Sequence, residues 1–130
     1  MNLYRDLIID HYQNPRNFGE LKNPDAVARE TNASCGDMVE FAIKVKPFAI
    51  NGLRITDVKW RGVGCAISTA AASLLSEKVK QIGQSASWRS RIRQMSQKDM
   101  VDLLGGDISH ARIKCATLPL VALQRAVEKL

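Results

Sequence analysis

The sequence predicts an α+β domain, with helices packed on one face of a small antiparallel sheet of about three strands. Three observations carry this expectation. Val39, Phe41, Ile43 and Val45 alternate with Glu40, Ala42, Lys44 and Lys46, the period of a half-buried antiparallel strand. Asn51-Gly52 follows, and this dipeptide favours a tight hairpin turn because both positions tolerate positive φ. Beyond Cys65, Ile67, Ala71, Leu74, Leu75, Val79 and Ile82 recur at helical spacing in an alanine-rich stretch, which favours a helix. Strands followed by a run of helices segregate the helices to one side of the sheet.

The elements follow in chain order. Leu3, Leu7, Ile8 and His11 share one helical face, so residues 3–13 read as a short amphipathic helix. Asn14-Pro15 ends it, because the residue before proline is pushed out of the α region. Residues 14–28 read as loop, with an edge strand near Val27–Thr31. The strand returning from the hairpin spans about Leu53–Arg61, and its apolar phase slips between Ile55 and Val58, which predicts a bulge near Thr56-Asp57. Phe41 and Trp60 are expected in the sheet's core face. A short helix is expected over Ser96–Leu104, with Ser96 as N-cap, Asp99 closing a capping box and Gly105-Gly106 ending it. A last helix is expected from about Thr117, with Pro119 in its first turn and Leu120, Leu123, Val127 and Leu130 as its apolar stripe.

Length and composition bound the function classes. The chain has 130 residues, enough for one domain, with 45% apolar and 25% charged residues; that is ordinary for a folded globular protein. No run approaches the ~18 apolar residues of a membrane helix. The N-terminus has scattered charges and no apolar core of a secretory signal. Three cysteines, Cys35, Cys65 and Cys115, make a poor disulfide framework. The expectation is a cytoplasmic protein with free or metal-bound thiols.

The net charge is +6, and Lys78, Lys80, Arg89, Arg91, Arg93 and Lys98 lie between Glu77 and Asp99 with no acid among them. Such a run is read first as a solvated basic face, next as a docking surface for an acidic protein, and last as a nucleic-acid site. Trp88 is its one aromatic residue. No zinc finger, RNA-binding run or helix-turn-helix accompanies it, so nucleic acid is disfavoured.

Each cysteine falls at an element boundary. Cys35 precedes the first long strand, Cys65 lies between a strand and a helix, and Cys115 sits ahead of the final helix. Two of them adjoin expected helix N-termini, where the partial positive charge favours thiolate, the metal-binding and nucleophilic form. Gly36 and Gly64 flank Cys35 and Cys65 and allow close backbone approach to a bulky inorganic group. Three thiolates with Asp37, the nearest carboxylate, would make a four-coordinate site for zinc or an iron–sulfur cluster. The spacing alone leaves a second reading open, in which the thiols are small buried hydrophobes.

The segments LYRDLIIDHYQNPRNFG, NASCGDMVEFAIKV, ITDVKWRGVGCAISTAAASLL and RIKCATLPLVAL resemble, in order, the U-type iron–sulfur cluster assembly proteins, the IscU/NifU N-domain/SufU family. The resemblance covers the chain as a single domain over residues 1–130, except about 81–107, which looks like a shortened SufU-type insertion. Lys114 stands where IscU proteins have a histidine before the third cysteine. Residues Ser109 to Ile113 replace the segment that a specialised chaperone grips in IscU. Both features make the match closer to the SufU type.

The resemblance implies Cys35, Asp37, Cys65 and Cys115 as ligands of Zn2+ or a [2Fe-2S] cluster. It implies persulfide sulfur accepted from a cysteine desulfurase, or a transient cluster scaffolded for transfer to downstream iron–sulfur acceptor proteins. In the SufU-type reading Cys35 leaves the metal to accept sulfur; in the scaffold reading Cys115 carries the persulfide. Either way the chain is a sulfur-transfer or scaffold protein rather than a self-sufficient enzyme. His110 and Arg112 are auxiliary candidates, His110 as a replacement ligand and Arg112 to orient Cys115 or the sulfur. His11 is read as a packed or hydrogen-bonded histidine. The alternatives are a zinc-stabilised interaction module without sulfur transfer and a basic nucleic-acid binder.

Overall fold

A computed structural model describes residues 3–34, 36–48 and 52–130, leaving out the side chains of residues 3 and 4. Helix α1 (Leu3–Gln13) is followed by three strands, β1 (Ala26–Asn32), β2 (Asp37–Pro47) and β3 (Leu53–Val63). Helices α2 (Ala66–Ile82), α3 (Trp88–Gln94) and α4 (Gln97–Leu103), a 3-10 turn (His110–Arg112) and helix α5 (Ile113–Glu128) complete the chain. The sheet is antiparallel in the order β1-β2-β3. Helix α5 lies against β1 and β2, α2 against β3 and α5, and α1 packs on α2.

The alternation in β2 buries Val39, Phe41 and Ile43 under the helices, because successive side chains on a strand point to opposite faces. Val58 and Trp60 continue this face on β3. Lys44 pairs with Asp57 and Val45 with Ile55, so Thr56 is the extra residue of the expected bulge. The bulge resets the phase of β3, which is how Ile55 and Val58 both reach the core. Pro47 is still paired, with Leu53, at the end of the ladder. Of the expected hairpin turn, Asn51 lies outside the described residues, and Gly52 has φ +79°. Helix α2 is buried on several sides; Ala70, Ala71 and Ala72 are fully covered, and their small side chains let the sheet and two helices approach.

The loop after α1 is stapled across α2. His11 is buried, with Nδ1 2.7 Å from Ser73 Oγ. The Arg16 N–H donates to the same hydroxyl at 2.9 Å, and Asn17 Nδ2 donates to Ser76 Oγ at 3.0 Å. Trp60 Nε1 donates to the Arg16 carbonyl at 2.8 Å, and the Phe18 ring packs edge-on against Trp60 with centroids 5.0 Å apart.

Three expectations need correction. Sequence periodicity gave three helices after the sheet, but α3 is a fourth. It has only seven residues, with Trp88 and Ile92 as its buried positions, too few to set a period. Helix α5 starts at Ile113, not near Thr117, so Pro119 lies in the helix interior. Proline has no N–H to give the carbonyl four residues back, and the helix runs through it because its apolar stripe is packed on the sheet. The earlier start also moves Cys115 from ahead of the helix into its first turn. Ser96 and Asp99 form the expected capping box, with the Ser96 N–H donating to Asp99 Oδ2 at 2.7 Å. Gly105 and Gly106 follow with φ of +100° and +87°, conformations glycine adopts without penalty.

Candidate metal centre

Three elements meet at one end of the sheet. Asp37 is the first residue of β2, Cys65 the N-cap of α2, and Cys115 the third residue of α5. Asp37 pairs with Asn32 at the end of the β1–β2 ladder, and Met38 beside it pairs with Val63, so the end of β3 delivers Cys65 to the carboxylate. One ligand atom from each of Asp37, Cys65 and Cys115 lies within 4.8 Å of the other two. Asp37 and Cys115 are buried, and Cys65 is half-buried and gives the cluster its opening to solvent.

The carboxylate is held on one side only. Asp37 Oδ1 accepts the Cys65 backbone N–H at 3.2 Å. Asp37 Oδ2 is buried and has no hydrogen-bond partner among the described residues. A buried carboxylate oxygen without a partner is costly, and a cation shared with two sulfurs would satisfy it. The donor set of carboxylate and thiols suits zinc or an iron–sulfur cluster. On these grounds the residues present fit the group.

The N-terminus of α2 favours thiolate at Cys65. Burial works against the charged form, but the Ser68 backbone N–H, the Cys115 thiol, the Ser68 hydroxyl and the Ile67 N–H outweigh it and hold the thiol below its usual value. Cys65 Sγ lies 3.9 Å from Ser68 Oγ, which also donates to the Cys65 carbonyl at 3.1 Å. Ser68 is a support the sequence reading missed; its signal is a serine three residues into the helix from Cys65, on the same face. At Gly64 a Cβ would collide with Ser68 Oγ and sit 2.7 Å from Asp37 Oδ1. A Cβ at Gly36 would meet nothing within 4 Å among the described residues, and its φ of +71° shows that glycine serves the turn there.

Cys35 lies outside the described residues. The N–H of Gly36 donates to the Asn32 carbonyl at 2.9 Å. His110 and Arg112 lie on the 3-10 turn, both exposed, and His110 is not a member of the 4.8 Å cluster. His11 is at the other side of α2, bonded to Ser73.

A carboxylate and two thiols gathered at one end of a three-stranded sheet, under a layer of helices, define a small metal–thiolate domain. The chain belongs to the NifU-like N terminal domain family, which matches residues 3–130. It is 36% identical over 141 aligned residues to the zinc-dependent sulfurtransferase SufU of Bacillus subtilis, covering 98% of this chain and 90% of that protein. It is 34% identical over 125 residues to the iron–sulfur cluster assembly scaffold protein IscU 1 of Archaeoglobus fulgidus, covering 96% of this chain and 74% of that protein. The resemblance read from the sequence therefore holds. Two solved structures share the fold. One is described as an iron–sulfur cluster assembly scaffold protein for the SUF system of Fervidobacterium islandicum, with TM-score 0.66, 23% identity and 94% of each chain covered. The other is the N-terminal NifU-like protein of Brucella abortus, with TM-score 0.68, 18% identity, and 97% of this chain and 92% of that one covered. No helix among the described residues is long and apolar enough to cross a membrane.

Proposed function

We propose that this chain is an iron–sulfur cluster assembly protein that accepts persulfide sulfur from a cysteine desulfurase at a centre made of Cys35, Asp37, Cys65 and Cys115. The observation that carries the reading is the convergence of Asp37, Cys65 and Cys115 within 4.8 Å, with one carboxylate oxygen buried and unpartnered among the described residues. Cys35, two residues before Asp37, is assigned as the fourth ligand and the sulfur acceptor.

A bound zinc ion would hold its cysteine ligands as thiolates at neutral pH. The Cys35 thiolate attacks the outer sulfur of the donor's persulfide. A sulfur–sulfur bond forms on Cys35, the donor's own sulfur–sulfur bond breaks, and the donor cysteine leaves as thiolate, so no outside oxidant or reductant is needed. Asp37 stays anchored by the Cys65 N–H throughout. Cys115 is buried in the first turn of α5, so it suits anchoring better than meeting a bulky partner. Residues 81–107 are assigned as a shortened SufU-type insertion, and a reducing cytoplasm as the working compartment. His110 and Arg112, exposed on the turn before Cys115, are assigned to the rim where donor and acceptor proteins approach.

A scaffold reading is favoured by the 34% identity to an IscU scaffold protein; there a [2Fe-2S] cluster is the cargo and Cys115 the persulfide carrier. One experiment separates the two. The purified protein is mixed with its host's cysteine desulfurase, cysteine, a thiol reductant and iron, and sulfide release is followed together with visible absorption. Faster sulfide release without cluster colour supports the relay. Colour on this chain supports the scaffold. Neither response leaves a zinc-stabilised interaction module.

A further inference from the structure

The hairpin end of the sheet carries a basic groove remote from the metal centre. Leu53 pairs with Pro47, at the opposite end of β2 from Asp37. At the rise of a β-strand, about 30 Å separates the two ends. Here Gly52 and Leu53 form one wall of an open groove of about 380 Å³, and residues of α3 with those just before it form the other. Its polar lining is Ser87, Arg89, Ser90 and Arg93, with no carboxylate among the described residues. The sequence gives the reason: residues 45–56 and 78–98, which supply both walls, contain no Asp or Glu.

The two arginines sit on an anchored element. Trp88 and Ile92 are buried, and Trp88 Nε1 donates to the Leu53 carbonyl at 2.8 Å, which ties the two walls together. Arg89 and Arg93 are one helical turn apart and share a side of α3. Arg89 lies over the Trp88 ring, 5.3 Å from its centroid, and its Nη1 donates to the Leu130 main-chain oxygen at 3.4 Å. A guanidinium has five N–H donors, so one long bond leaves others for a ligand. Arg93 is exposed. The lysine and arginine ion pairs found among the described residues are those of Arg16, Arg29, Arg61, Lys80 and Arg125, and none reaches Arg89 or Arg93.

We propose that this groove docks an acidic segment of a partner protein, its carboxylates held by the Arg89 and Arg93 guanidinium groups and the Ser87 and Ser90 hydroxyls. Guanidinium forks match carboxylates in two-bond geometry, and a groove of one sign of charge selects the opposite sign. Beside Gly52 stands Phe48, 55% exposed, with the Arg54 guanidinium 4.7 Å from its ring centroid. Aromatic and arginine side chains are the types enriched at protein interfaces. A nucleic acid suits the groove less: Trp88, its one aromatic lining residue, is 2% exposed and offers no stacking face. A partner held at this end leaves the Cys65 side of the molecule clear. The inference is independent of the metal centre and stands if the centre has another role.

The test uses the full chain, isotope-labelled for NMR. The probes are a synthetic peptide of about ten residues rich in glutamate, its glutamine-for-glutamate counterpart, and a single-stranded DNA of the same net charge as the acidic peptide. The expected result is saturable amide shifts centred on residues 52–53 and 86–93 with the acidic peptide, none with the glutamine peptide, and weaker binding of the DNA. Arg89→Gln with Arg93→Gln should weaken the acidic peptide at least about tenfold. Arg91→Gln with Lys98→Gln, the same loss of charge outside the groove lining, should weaken it less. Because Arg89 packs on Trp88, the exposed Arg93→Gln alone is a second variant, expected to lose about threefold, with an unchanged far-UV spectrum as the control for folding. The proposal is overturned if the acidic peptide does not bind, if the shifts centre on Asp37, Cys65 and Cys115, if the glutamine peptide or the DNA binds as well, or if the two double variants lose affinity equally.

Discussion

Asp37 and Cys65 are joined by a single hydrogen bond: the Cys65 backbone N–H donates to Asp37 Oδ1 at 3.2 Å, while Oδ2 is buried with no partner among the described residues. The bond fixes the carboxylate at the N-terminus of α2, where one of its oxygens lies within 4.8 Å of the Cys65 and Cys115 sulfurs. This half-satisfied carboxylate ties the metal reading to the fold.

Metal binding should accordingly stabilise the protein. At free zinc 100-fold above Kd the linkage is about 2.7 kcal/mol, a rise in Tm on the order of 10 °C for a chain of this size. In Asp37→Ala this zinc-dependent rise should shrink to a few degrees or vanish. Calorimetric melts with and without zinc check it; an undiminished rise in the variant removes Asp37 from the ligand set.

Gly64→Ala should damage the centre through sterics. The new methyl group would meet Ser68 Oγ and Asp37 Oδ1, so the N-terminus of α2 must move away from β2. The expected cost is about 1–3 kcal/mol in urea unfolding, with a tenfold or greater loss of zinc affinity in chelator competition. A variant as stable and as tight as wild type would show that the approach of these elements is not tight.

Cys35→Ala and Cys115→Ala should part company. Cys35→Ala is expected to keep the metal-free stability of wild type and to lower persulfide transfer from the desulfurase to background. Cys115→Ala removes a fully buried side chain, so it should cost stability as well, on the order of 1 kcal/mol. Mass spectrometry of the persulfidated chain, with urea melts, reads both. Persulfide found on Cys115 in the Cys35→Ala variant would shift the assignment to the scaffold chemistry.

The His11–Ser73 staple predicts a pH dependence. Burial, then the charge of Arg16, hold the His11 pKa below its usual 6.5, against the opposing pull of Glu77 and Asp10. With the folded value depressed, the unfolded chain binds the proton more readily. Stability is then fully present above about pH 6.5 and is lost as pH falls toward the folded pKa. Urea midpoints should drop more between pH 7.5 and 5.5 for wild type than for His11→Gln, which cannot titrate. Equal drops would mean that His11 is not held neutral.

Much of this architecture was legible in the sequence. The β2 alternation, the slip between Ile55 and Val58 and the Ser96–Asp99 box each have a local physical cause that survives folding. Helix α3 was not legible, because two buried side chains in a seven-residue helix carry too little pattern. The start of α5 was misread because Pro119 suits a first turn, and only packing against β1 and β2 shows that the helix tolerates it. At the site, the cysteines and Asp37 were visible as residue types, and the family resemblance joined them. The meeting of Asp37 with Cys65 depends on the β2–β3 register, which brings Val63 beside Met38. The support from Ser68 depends on the α2 N-terminus, and neither is written in local spacing.

The most direct test of the central claim is X-ray absorption at the zinc edge on the zinc-loaded protein. The account predicts one zinc per chain with three sulfur neighbours near 2.3 Å and one oxygen near 2.0–2.2 Å, the oxygen replaced or lost in Asp37→Ala. A shell of nitrogen and oxygen alone, or a protein that takes up no zinc at equimolar metal, would contradict it.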